Sequence, residues 1–122
     1  MEKAHKKLRA WQEAMALAKA IYEITGKLPD TEKFGLTSQM RRAAVSIPSN
    51  IAEGAARNGT KDSLHFYVIA RASLSELDTQ IELCRDLKFI PIEKIESISE
   101  LMDTVNALLN GLIRFNRNKT AK

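Results

Sequence analysis

The chain is poor in the residues that staple or punctuate a fold. One cysteine, three prolines and five glycines are spread over 122 residues. The lone Cys84 forms no internal disulfide and supplies no cysteine-based zinc site, and such thiol usage fits a reducing, cytoplasmic setting. Scarce glycine and proline argue against an all-β chain with many tight turns. No apolar run approaches the ~20 residues that a membrane-crossing helix requires, so no membrane partner is expected. The opening stretch MEKAHKKLRAWQ lacks the apolar core of a signal peptide.

Catalytic patterns are missing too. His5 and His65 are far apart and carry no metal-ligand spacing. Gly54 and Gly59 are isolated, so no glycine-rich phosphate loop exists. Ser63 and His65, two apart on a helix, point to different sides and make a poor nucleophile–base pair. We therefore expect no catalytic residue, no metal and no cofactor.

What is present is ordinary globular material: 44% hydrophobic and 28% charged residues, enough for one domain over 1–122. Leu8, Trp11, Met15, Ala18 and Tyr22 recur at helical spacing and predict a first helix from His5 to Thr25. A second is predicted from Asp30 or Thr31, through Phe34, Met40, Ile47 and Ile51, to Ala56, with Pro48 kinking it without breaking it. Thr60 is the predicted cap of a third, carrying Leu64, Tyr67, Leu74, Leu77, Ile81, Cys84 and Leu87. Pro91 opens a fourth, with Ile95, Ile98, Met102, Val105, Leu109 and Phe115 on its stripe. The polar tail after Asn116 is expected to fray. Cys84 and Trp11 read as packing residues. Four amphipathic helices joined by short turns predict an all-α, antiparallel up-down-up-down bundle.

The second helix is unusual. In SQMRRAAVSIPSNIAEGAAR (38–57), Ala43, Ala44, Ser46, Ser49, Ala52, Gly54, Ala55 and Ala56 are all small. Small residues on more than one face let neighbouring helices come close, one within the bundle and one on a second subunit. Glu53 and Arg57 are spaced for a helical ion pair. Arg42 lies within ~20° of Glu53, three turns away.

The run FGLTSQMRRAAVSIPSNIAEGAAR, with Trp11, Met15, Leu17, Ala18, Ile21 and Tyr22 before it and Phe66, Ile69, Ala70, Arg71, Ser73, Leu74, Glu76, Leu77, Thr79 and Gln80 after it, closely resembles the signature of a bacterial four-helix-bundle family. Its founding members are encoded in intervening sequences of 23S (large-subunit) ribosomal RNA genes. The resemblance covers roughly residues 8–115 and implies self-association, typically as ring-shaped homopentamers, with no enzymatic activity. Related accessory proteins of diversity-generating retroelements bind nucleic acid and a reverse transcriptase. By that resemblance Pro48, Asn50, Glu53, Gly54, Arg71 and Glu76 are expected to serve the bundle or its assembly. Many relatives are more basic at the turn occupied here by Arg57-Asn58-Gly59-Thr60-Lys61-Asp62.

The formal charge is +4, and it is uneven. Residues 1–28 and 31–61 carry +3 each, 62–88 carry −2 and 89–122 carry +1, with Asp30 supplying the remaining −1. A pentamer would hold about +20, enough to attract phosphate backbones by counterion release. The expected phosphate contacts are Arg41, Arg42, Arg57, Lys61, Arg114 and Arg117, in RNA or DNA, with a reverse transcriptase or other nucleic-acid enzyme as partner. Some of these arginines have an alternative structural role, paired with Glu53 or Glu76 across a subunit interface. No interleaving of aromatic and basic residues is visible along the chain, which speaks against base stacking. The alternative is a protein-interaction module with no nucleic-acid role.

Overall fold

A computed structural model describes residues 3–121. It is all-α, with helices α1 (Arg9–Thr25), α2 (Leu36–Ala55), α3 (Thr60–Asp86) and α4 (Ile92–Ala121), and short 3-10 turns at Ala4–Lys7 and Asp30–Glu32. α2 packs against α1 and α3, and α4 against α3 and α1, while the backbones of the diagonal pairs do not approach closely among the described residues. Four helices in chain order around a square, joined by short connections, make an up-down-up-down bundle. The apolar stripes meet inside it: Leu17, Ile21, Met40, Ile47, Ile51, Leu77, Ile81, Ile95, Val105, Leu109 and Ile113 are fully buried.

Helix ends depart from the sequence reading by a few residues, each for a local reason. Leu8 is extended at the head of α1, so the residues before it form a separate 3-10 turn. α2 begins at Leu36, not at Asp30 or Thr31. Pro29 starts a 3-10 turn there, and the Glu32 carboxylate accepts the Leu36 backbone N–H at 3.2 Å, placing a negative charge at the helix N-terminus. Thr60 is the first residue of α3 and Gly59 takes the cap position; the Thr60 hydroxyl instead lies 3.0 Å from that of Thr120. Pro91 precedes α4, and its carbonyl accepts the Lys94 and Ile95 N–H groups. α4 runs on past Asn116 to Ala121, held by hydrogen bonds from Asn116 to the Leu112 carbonyl and from Thr120 to the Asn116 carbonyl. α2 runs unbroken through Pro48, which is buried.

Some stripe residues are not core. Phe34 is 90% exposed because it precedes α2, and Tyr22, Leu87 and Phe115 are exposed at the stripe edges. Cys84 is buried with its thiol 3.6 Å from Met40 Sδ, and burial, with the Glu32 charge adding to it, holds its pKa above the ordinary value.

The small residues of α2 divide between inside and outside. Ala43, Ala44 and Gly54 are buried within the chain, whereas Ser49 and Ala56 are exposed. Gly54 is the tightest point. A Cβ there would lie 2.5 Å from Cε1 of Tyr67 and 3.1 Å from the Ser63 carbonyl oxygen, and the Ser63 hydroxyl donates to the Gly54 carbonyl at 2.7 Å. Asn50 donates to the Ser46 carbonyl, and Ser46 shares a 2.8 Å hydrogen bond with Ser73 of α3. The close approach of α2 is thus directed first at α3 of the same chain.

Candidate nucleic-acid interface

Antiparallel topology sorts charge that the sequence leaves scattered. The head of α1, the tail of α2, the head of α3 and the tail of α4 share one end of the bundle. Residues 3–16, 47–73 and 107–120, which make up that end, hold ten basic and three acidic side chains, net +7. Residues 17–46 and 74–106, the other end, hold eight basic and eleven acidic, net −3. α4 alone is 30 residues, or ~45 Å at 1.5 Å per residue. That is several times the ~8 Å Debye length at physiological salt, so the ends do not cancel for an approaching polyanion.

Four of the six expected phosphate contacts, Arg57, Lys61, Arg114 and Arg117, lie at the basic end, where Lys61, Arg114 and Arg117 are exposed. Arg57 pairs with Glu53 at 3.0 Å on the surface, and its guanidinium sits 4.5 Å from the centre of the Phe66 ring. Such an exposed pair contributes ~0–1 kcal/mol. Arg114 and Arg117 line a groove of about 270 Å³ between α3 and α4 together with Arg71, Asn110, Ile113 and Asn118. Arg71 donates to Asn110 Oδ1 at 3.0 Å, so it faces this groove. Lys122, at the end of the polar tail, lies outside the described residues.

Arg41 and Arg42 are at the opposite end. Arg41 is part of the frame: its Nε donates to Thr25 Oγ1 at 2.9 Å, one terminal nitrogen donates to the Tyr22 carbonyl at 3.3 Å, and its guanidinium lies 4.5 Å from the centre of the Tyr22 ring. It thereby satisfies the C-terminal turn of α1, where a cation also suits the helix dipole. Arg42 is exposed and, with Tyr22, Lys33, Phe34 and Val45, lines a shallow hollow. Glu76 is exposed and accepts a long 3.4 Å hydrogen bond from Gln80.

Folding also creates basic–aromatic pairs that the linear pattern does not show. Besides Arg57 on Phe66 and Arg41 on Tyr22, Lys119 Nζ stands 4.6 Å from the centre of the exposed Phe115 ring. The expectation that basic and aromatic residues do not come together is therefore not met in the folded chain.

A second surface is apolar. Trp11, Met15 and Ala18 of α1 and Val45, Pro48, Ser49 and Ala52 of α2 line an open hollow of about 330 Å³. Among the described residues, no group of three or more His, Cys, Asp or Glu could hold a metal ion, and no helix is long and apolar enough to cross a membrane.

The fold and surface define a four-helix bundle with one basic end and one apolar flank. The family model for 23S rRNA-intervening sequence proteins matches residues 6–111, and the chain belongs to that family. Among solved structures it is similar to a protein of unknown function from the S23 ribosomal protein family of Bacteroides thetaiotaomicron VPI-5482, with 25% identity, 85% of this chain and 97% of that chain covered, and a TM-score of 0.79. No curated protein matches.

Proposed function

We propose that the protein is a non-catalytic scaffold that self-associates and binds RNA or DNA through backbone phosphates. The observation that supports this reading is the collection of ten basic against three acidic residues at one end of the bundle. In any ring whose subunits stand parallel, those ends form one basic rim. Phosphate contacts of this kind are strong at low salt, weak at high salt and largely indifferent to sequence. Arg57, Lys61, Arg114 and Arg117 are the contacts, whereas Arg41 serves the fold. The apolar flank of Trp11, Met15, Val45, Pro48 and Ala52 is the self-association surface, and a pentamer is the state the family resemblance implies. The acidic end leaves room for a basic partner, and a reverse transcriptase or other nucleic-acid enzyme is the class we propose.

The test is binding of a generic RNA by fluorescence anisotropy across a salt series. Binding at ~50 mM salt that weakens steeply by ~200 mM is expected. No binding at ~50 mM salt would overturn the nucleic-acid reading and leave the protein-interaction module, which the exposed apolar flank favours.

A further inference from the structure

We infer that the groove between α3 and α4 framed by Arg71, Arg114 and Arg117 is a phosphodiester site that seats one nucleic-acid strand. It rests on the nucleic-acid reading and gives it a place. Three guanidinium groups line one groove of about 270 Å³, and no carboxylate lines it. Among the described residues the only ion pairs are Arg57–Glu53 and Arg85–Glu82, so none of the three is neutralised. That sets them apart from Arg57, held by Glu53, and Arg41, held by Thr25 and Tyr22.

The groove also has built features. Arg71 is half-buried and held by Asn110 at 3.0 Å, so its charge is aimed before any ligand arrives. Buried Ile113 floors it, and Asn110 and Asn118 add polar groups beside the arginines. Asn110, Arg114 and Arg117 follow one face of α4 at steps of four and three residues, ~5–6 Å between neighbours. A row of donors at that pitch suits successive phosphates of a strand, and a guanidinium grips a phosphate with two parallel hydrogen bonds.

The test compares Arg71→Gln/Arg114→Gln/Arg117→Gln with a control that removes the same charge at the far end, Lys19→Gln/Lys27→Gln/Lys33→Gln. Affinity for a labelled single strand is measured against salt, on RNA and on DNA of one sequence. The groove variant is expected to reduce the slope of log K against log salt by about 2 units, and the control by under ~0.5. Loss on both strands is expected, since both present the same phosphodiester; loss on neither overturns the site. Arg114→Gln/Arg117→Gln, which spares the half-buried Arg71, gives the same answer at about 1.4 units if the triple variant folds poorly. Equal slopes for groove and control variants would overturn the groove while leaving general phosphate binding intact. Failure of the wild type to bind would remove both. A fall in mass by light scattering with unchanged RNA affinity would assign the groove to contacts between copies and overturn it.

Discussion

Gly54 shows most clearly how one side chain sets the spacing of two helices. A β-carbon there meets the Tyr67 ring at 2.5 Å, inside any tolerable contact, and Tyr67 is itself nearly fully buried and cannot swing aside freely. Gly54→Ala is therefore expected to destabilise the fold by ~1–3 kcal/mol in chemical denaturation, and Gly54→Leu by more. A wild-type midpoint for Gly54→Ala would show that α2 and α3 do not approach as described. Two other buried residues give the protein an alkaline limit. Burial raises the pKa of Tyr67, and burial and then Glu32 raise that of Cys84. The unfolded chain ionises these groups first, so it binds fewer protons than the folded chain as pH rises past their ordinary values of 9.0 and 10.0. Stability is expected to be unaffected by them below about pH 9 and to fall above it. A melting temperature that fell no further from pH 9 to 11 in wild type than in Tyr67→Phe would contradict the Tyr67 share.

At the scale of elements, the best-defined helix end is the close of α3. The Phe89 N–H donates to the Cys84 carbonyl and the Lys88 N–H to the Arg85 carbonyl, the paired bonds that end a helix in a left-handed residue. That residue is Lys88, at φ 59°, where glycine is the usual occupant. Lys88→Gly is expected to stabilise the protein by ~0.5–1 kcal/mol, read from the denaturation midpoint. A loss of stability would mean that the lysine side chain makes up for its strained backbone. The helices themselves were legible because apolar residues recur every three to four positions over long stretches. Their ends were less so. The start of α2 is decided by Glu32 folding back onto the Leu36 N–H, and Thr60 is drawn to Thr120 rather than to its own helix. Neither contact has a period that could be read along the chain.

For the whole molecule, the apolar hollow and the arginine groove lie on different helix pairs, α1–α2 and α3–α4, and this separates the two proposed properties. Val45 is exposed on the α1–α2 flank, whereas the arginine groove of Arg71, Arg114 and Arg117 lies between α3 and α4. Val45→Glu is expected to leave folding intact, since exposed substitutions usually change stability by under ~0.5 kcal/mol, and to lower the mass measured by light scattering. A mass of 13.7 kDa for the unmodified protein at micromolar concentration would refute self-association at that concentration directly.

The four helices, their apolar stripes, the packed Cys84, the Glu53–Arg57 pair and the family signature around Pro48 could be read from the residues alone, because each depends on neighbours within a few turns of one helix. The candidate site could not. The residue pattern groups Arg71 with the assembly residues and Arg41 with the phosphate contacts, whereas packing places Arg71 beside Arg114 and Arg117 and binds Arg41 to the end of α1. Likewise, the stretch 62–88 carries −2 as a whole, yet its two ends fall in opposite halves of the bundle. Distance between charges decides their effect, and an antiparallel bundle brings residues 40 or more positions apart side by side, so only the folded chain has a basic end.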